Sequence, residues 1–188
     1  MNFNIEIPII INILNNNGVI LCPTDTIWGL SCDAKNRIAI EKVFELKNRP
    51  QNKSCIVLMK NEEMLKSFVT HIPTAYYALK KEAKKPTTFI FTSNGILKQP
   101  VCSTENTIAV RIPNDDFCQE ILHQFNTPII STSANLSGEA APQNFSFINS
   151  IIKKNVDYVV QYKQNDTSEK SASAIIDLSG DEIRIIRQ

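Results

Sequence analysis

The segment Gly18–Met59, GVILCPTDTIWGLSCDAKNRIAIEKVFELKNRPQNKSCIVLM, decides how the rest of the chain is read. It holds a short apolar run (Val19–Cys22), a polar turn with two hydroxyls (Pro23–Thr26) and a second short run (Ile27–Cys32). A helical pattern from Arg37 to Lys47 follows, and Lys47, Arg49 and Lys53 then place three cations close together. Short continuous apolar runs read as buried strands. A strand that feeds a hydroxyl-rich turn, with a cationic loop after the next helix, is a construction for holding an anion. Asn36 is placed to cap the helix, whose apolar face is Ile40, Val43 and Phe44, with Lys47 at the next position. On spacing alone, Lys47 complements the helix dipole. Pro50 changes that reading, because it biases Arg49 to an extended conformation and so directs both cations out of the helix.

Outward from this segment, strands and helices alternate. Ile7, Ile10, Ile11 and Leu14 recur at helical spacing before Gly18. Ser54–Met59 reads as a buried strand, Asn61 as the cap of a helix from Glu62 to about Val69, and Pro73–Lys84 as a further helix. The lysines at 80, 81, 84 and 85 read as a solvated helix end, with a phosphate patch as the alternative. Thr87–Thr92 and Thr107–Ile112 are strand candidates. Arg111, in the second of them, needs an anionic partner, either an internal Asp or Glu or a bound carboxylate or phosphate. Asn114 is read as the cap of a helix with the face Phe117, Ile121, Leu122 and Phe125.

Pro128–Ile130 then leads as a strand into Ser131-Thr132-Ser133-Ala134-Asn135, read as a hydrogen-bonding cradle at the strand's C-terminal end. A helix through Phe147–Ile152, a strand Val156–Val160, a polar loop Gln161–Ser171 and closing strands Ser173–Leu178 and Ile183–Arg187 complete the chain. The 188 residues fit one domain, 1–188.

Composition excludes several classes. A net charge of +1 argues against a large basic face for duplex nucleic acid. Five cysteines at irregular spacing, with no C-x-x-C, read as buried free thiols of a reducing compartment. No run approaches membrane-spanning length and the N-terminus is too polar for a secretory signal, so a cytoplasmic protein is expected. The chain has no G-x-x-x-x-G-K-[ST] and no G-x-G-x-x-G, and its two histidines, His71 and His123, are far apart in sequence. What remains for chemistry is Lys, Arg, Ser, Thr and Asn, a set suited to electrostatic work on phosphates rather than covalent catalysis.

Two stretches carry a resemblance. PTDTIWGLSCDA followed by KNRPQNKSCIVL is similar to the P-T-D-T-x-Y-G-L and K-x-R-P-x-x-K-P-L signatures of the YrdC-type threonylcarbamoyl-AMP synthases. STSANLSG, at Ser131–Gly138, resembles that family's S-T-S-A-N-x-S-G. The resemblance spans roughly Gly18 to Arg187 and implies the short, single-domain form. The implied fold is α/β, a twisted open mixed sheet flanked by helices with a deep concave site. The implied reaction joins L-threonine, bicarbonate (or CO2) and ATP into threonylcarbamoyl-AMP and pyrophosphate. That product feeds the N6-threonylcarbamoyl modification of adenosine 37 in tRNA, through downstream threonylcarbamoyl-transferase proteins.

Carried over by position, Thr26, Arg111, Ser133 and Ser173 resemble the threonine and carbamate contacts. Arg49, Lys53, Thr107, Asn135, Gln143 and Arg187 resemble the ATP contacts, and Lys47 and Arg49 the catalytic cations. Magnesium is expected with ATP, held through the phosphates and without a dedicated protein metal site.

The chain departs from the pattern at several points. Trp28 replaces the usual Tyr, Leu58 stands where many members have His, Ala174 where Thr is usual, and Lys84-Lys85 precede Pro86 where the family has Pro-Gly. Carbamoyl-adenylate formation, as in hydrogenase-maturation proteins, is a weak rival because those chains are long and carry zinc-finger motifs. The second rival is a non-catalytic RNA-binding module for ribosome or tRNA maturation, with the lysines at 80–85 leaving room for weak tRNA contact.

Overall fold

A computed structural model describes residues 3–48, 50 and 55–188. Nine strands form one mixed sheet: β1 (Ile20–Cys22), β2 (Gly29–Asp33), β3 (Ile56–Leu58), β4 (Thr87–Thr92), β5 (Thr107–Arg111), β6 (Ile129–Ser133), β7 (Tyr158–Val159), β8 (Ala174–Asp177) and β9 (Arg184–Arg187). Their spatial order is β7-β1-β2-β6-β3-β5-β4-β8-β9. The pairs β1–β7, β3–β5 and β4–β8 are parallel and the others antiparallel. The helices are α1 (Ile7–Asn15), α2 (Arg37–Leu46), α3 (Glu62–Lys66), α4 (Thr74–Glu82), α5 (Asp116–Phe125) and α6 (Ser150–Lys154). This is the twisted mixed α/β sheet that the resemblance implies.

Each helix forms for a local reason. Asn36 and Asn61 cap α2 and α3 as expected, accepting from Ala39 N–H and Met64 N–H. The α2 stripe Ala39, Ile40, Val43 and Phe44 is buried, and each fully buried large aliphatic side chain contributes roughly 1.5–3 kcal/mol. α1 packs on α5 and on β1 and β2, while α2 packs on β2. Tyr76 of α4 sits edge-on to Phe89 and Phe91 of β4, with ring centroids 5.0 and 5.6 Å away.

The structure corrects four local expectations. Asp115, not Asn114, caps α5; its carboxylate accepts from Cys118 N–H at 3.0 Å. α3 stops at Lys66 because the chain turns out after Ser67, and Val69 makes a bridge with Ser93. The expected helix through Phe147–Ile152 is broken at Ile148, whose ψ is 129°. A short 3-10 turn precedes the break, and α6 restarts under a new cap from Asn149. The strand before the cradle does not end at Ile130 but runs on to Ser133, so Ser131, Thr132 and Ser133 are strand residues with fixed faces.

All five cysteines are free and buried. Burial pushes the Cys22 thiol up to about 12 and raises Cys32 and Cys118 as well. An aromatic disulfide reagent is therefore expected to titrate the thiols only after denaturation. Rapid reaction of two or more in the native protein would contradict this burial. Among the described residues, no helix is long and apolar enough to cross a membrane.

Candidate functional site

Strand alternation sorts the sheet into two faces. One carries Leu30, Ile130, Val57, Val110, Phe89 and Phe91, all buried apolar. The other has an uncommon composition. Register places Ser31 beside Ser131, Ser131 beside Ile56, Ile56 beside Ala109, and Thr88 beside Ile175. Two residues along from these positions, on the same face, stand Ser133, Arg111 and Ser173. Small and hydroxylated side chains leave a hollow, a cavity of about 270 Å3 lined by Thr24, Thr26, Trp28, Gly29, Arg111, Ser131, Ser133, Ser173 and Arg187 among others. Gly29 is needed here: a Cβ on it would stand 2.6 Å from Ser131 Oγ. Trp28, in place of tyrosine, packs against Phe145 with ring centroids 4.8 Å apart.

Arg111 stands at the end of β5, and both its side chain and that of Asp25 are almost fully buried, at 4% and 6% exposure. Nη2 of Arg111 lies 3.1 Å from Asp25 Oδ1. Both sequence-level alternatives for Arg111 are thus in play. An internal carboxylate is present, yet Arg111, which lines the cavity, has a buried Nε with no hydrogen-bond partner. Asp25 Oδ1 is within ion-pair distance but also lacks an aligned hydrogen bond. Burial raises the Asp25 pKa from its ordinary value, against the pull of Arg111. A buried, incompletely paired guanidinium in the wall of a cavity is arranged for an anion.

Arg187 enters from β9. Its Nε donates to Ser173 O at 2.7 Å and its Nη2 to Ser173 Oγ at 3.3 Å. Burial and the neighbouring Arg111 charge lower its pKa. Ser173 Oγ is also 2.8 Å from Thr88 Oγ1, a partner that sequence reasoning left unassigned.

The hydroxyl direction in the polar turn follows from proton counting. Thr24 Oγ1 donates its one proton to Ile27 O at 2.8 Å and accepts Thr26 N–H at 3.1 Å. The 2.9 Å contact between the two hydroxyls therefore has Thr26 as donor, leaving the Thr26 oxygen lone pairs to accept.

Lys47 is 1% exposed and does not line the cavity. Its ammonium donates to Ser133 O, to Asn135 O at 2.5 Å and, at 3.4 Å, to Asn135 Oδ1. Its own carbonyl accepts Ser137 N–H at 2.8 Å. Lys47 thus ties the end of α2 to the segment after β6. Asn135 Nδ2 donates to Leu136 O and Glu139 O at 3.0 and 2.7 Å, so its amide also serves that segment.

Of the residues expected at a site, the cavity brings together Thr26, Arg111, Ser133, Ser173 and Arg187. Thr107 lies off the cavity, its hydroxyl 2.8 Å from Ser103 Oγ, although register puts it on the same face and at the same sheet end as Ser133. Gln143 is exposed, and its carbonyl accepts Lys170 N–H. Arg49 and Lys53 lie outside the described residues. Leu58 is buried beside Arg111 and presents only an aliphatic surface. Sequence reasoning missed Asp25 and Thr88. Both sit inside the quoted or neighbouring motifs, but only pairing across the sheet reveals their partners.

A family model, Sua5/YciO/YrdC, described as telomere recombination, matches residues 12–188. A threonylcarbamoyl-AMP synthase from Saccharophagus degradans is 36% identical over 133 residues, which is 70% of this chain and 69% of the relative. E. coli YciO superposes with a TM-score of 0.85 at 21% identity, covering 100% of this chain and 90% of that one. P. abyssi Sua5 complexed with L-threonine gives a TM-score of 0.85 at 22% identity, covering 97% of this chain but 53% of the longer Sua5 chain.

Proposed function

The chain belongs to the Sua5/YciO/YrdC family, and from that premise we propose that it is a nucleotidyltransferase forming threonylcarbamoyl-AMP and pyrophosphate from L-threonine, bicarbonate and ATP. Its product would serve the N6-threonylcarbamoylation of adenosine 37 in tRNA. The observation that carries the reading is the buried, incompletely paired guanidinium of Arg111 in the wall of a hydroxyl-lined cavity of about 270 Å3. That volume is at the small end for ligand pockets and suits an amino acid rather than a whole nucleotide. A relative of this fold has been solved with L-threonine, and similar curated chains are named threonylcarbamoyl-AMP synthases.

In this reading Arg111 takes the threonine carboxylate, with Asp25 holding the guanidinium in place. Thr26, Ser133 and Ser173 surround the amino and carbamate groups. Arg187, held on Ser173, takes the nucleotide together with Asn135 and Gln143, and the resemblance adds Thr107, Arg49 and Lys53. The threonine nitrogen bonds to the bicarbonate carbon with loss of water. A carbamate oxygen then attacks the α-phosphorus of ATP, the bond to the β-phosphate bridge breaks, and pyrophosphate leaves. The nucleophile and the nucleotide are both anionic, so cations fixed in advance lower the barrier without reorganisation, and positioning is the other main demand. Lys47 acts on the same chemistry by holding Ser133 and Asn135. Magnesium would arrive with the phosphates, whose hard oxygens supply its ligands. Among the described residues no group of three His, Cys, Asp or Glu stands close enough to form a protein metal site.

Pyrophosphate release from ATP tests the proposal. Release that requires both L-threonine and bicarbonate, proceeds without RNA and fails with serine is the expected result. A folded protein that releases none with magnesium present would defeat it.

A further inference from the structure

Thr88 stands in a row between the two arginines of the cavity. The β4–β5 register, continued one residue beyond the Phe89–Val110 pair, sets Thr88 opposite Arg111. On its other side Thr88 pairs with Ile175, and Ile175 pairs with Arg187. Thr88 is 0% exposed and does not line the cavity, whereas Ser173 does.

The 2.8 Å contact between the Thr88 and Ser173 hydroxyls could run in either direction, and proton counting decides it. Among the described residues Thr88 Oγ1 has no hydrogen-bond partner except Ser173 Oγ, and full burial keeps water from it. With Ser173 as donor, the Thr88 proton would be stranded in the interior, at the full desolvation cost of a donor. Thr88 therefore donates. Arg187 Nη2, which can only donate, lies 3.3 Å from the same Ser173 oxygen. Both lone pairs of Ser173 Oγ are then filled by the protein. Its own proton has no acceptor among the described residues and is left for the cavity. The Thr26 oxygen is the reverse case, with lone pairs left to accept. The cavity thus has one wall hydroxyl that accepts and one that donates.

We propose that Thr88 is a positioning residue for the reaction. It fixes Ser173 as a donor to an anionic oxygen of the substrate, and so bars Ser173 from taking the amino group. That oxygen belongs either to the threonine carboxylate or to the carbamate. A hydroxyl that itself accepts hydrogen bonds donates more strongly, so the chain Thr88–Ser173–substrate is cooperative. The inference rests on the reaction proposed above. The contact already exists in the bound ground state, so its loss falls on KM rather than kcat.

Pyrophosphate release at varied L-threonine, and separately at varied bicarbonate, tests this with ATP saturating. Thr88→Val deletes the hydroxyl at nearly constant shape. It is expected to raise at least one of the two KM values about tenfold, with kcat within about twofold and thermal melting close to the parent's. Thr88→Ser keeps the hydroxyl and should restore the parent values. A higher KM for L-threonine identifies the carboxylate as acceptor, and a rise confined to bicarbonate identifies the carbamate. Thr88→Val/Ser173→Ala should be no worse than Ser173→Ala, because Thr88 acts only through Ser173. Should Thr88→Val fail to fold, Thr88→Ala deletes the same hydroxyl and takes its place. Parent-like KM values in the hydroxyl-free variant, no recovery in Thr88→Ser, or additive losses in the double variant overturn the role of Thr88 and leave the reaction standing. A parent without threonine-dependent release defeats the reaction itself, and this inference with it.

Discussion

Arg111→Ala is expected to lower threonine-dependent pyrophosphate release by about 10²–10³-fold, the scale seen when a preorganised charge-stabilising donor is removed. The same change should destabilise the fold by about 3–5 kcal/mol, because it leaves the Asp25 carboxylate buried without its cation. The two losses separate in a double variant. Asp25→Ala/Arg111→Ala removes both buried charges, so it should recover much of the stability and none of the activity. Recovery of activity in the double variant would make Arg111 a structural residue and sink the site assignment.

The pH dependence has a defined sign. Burial already raises the Asp25 pKa in the folded chain, and a folded-state pKa above the unfolded one favours folding at low pH and is lost as pH rises through it. Removing Arg111 takes away the interaction that holds this pKa down. The stability deficit of Arg111→Ala should therefore be largest near neutrality and shrink on acidification. Denaturant midpoints at several pH values measure this.

Lys47→Met is the second large effect. The substitution keeps the length and the burial but deletes the ammonium that holds the Ser133 and Asn135 carbonyls. Leaving such carbonyls unpaired is expected to cost about 3 kcal/mol. Release of pyrophosphate should fall about 100-fold, because the end of β6 then shifts and small displacements of positioning groups are costly. Lys47→Arg should rescue neither fully, since a planar guanidinium does not fit a buried ammonium site. A stability loss with full activity would confine Lys47 to the fold. An activity loss with full stability would mean that its ammonium reaches the substrates directly, as the K-x-R motif suggests.

Much of this protein follows from short-range patterns. Asn36 and Asn61 announce helices because a cap needs only an oxygen and a backbone amide three residues on. Thr87–Thr92 is a strand with the bounds read from its residues. The motifs around Thr26 and Ser133 mark the cavity wall, since those residues sit on strands and turns whose local chemistry is self-contained. Where competing local signals coexist, the reading slips. Asn114 and Asp115 are both good caps, and the choice went to Asp115, whose carboxylate is also held by Lys163 at 2.9 Å from the far end of the chain.

What only the tertiary structure decided is the set of partners. Asp25 and Arg111 meet across 86 positions of sequence, as do Lys47 and Ser133, while Thr88 and Ser173 meet across 85. The Thr88–Ser173 meeting depends on the parallel register β4–β8, and parallel pairing requires long crossovers that no local pattern specifies. Sequence by itself determined the elements, the family and the identity of the polar groups, because backbone sterics and periodicity act over a few residues. The direction in which each charge points, and whether it faces a carboxylate, a carbonyl or the open cavity, was settled by which strands came to lie side by side. Burial then made each pairing obligatory, since an unpaired charge in that interior costs several kcal/mol.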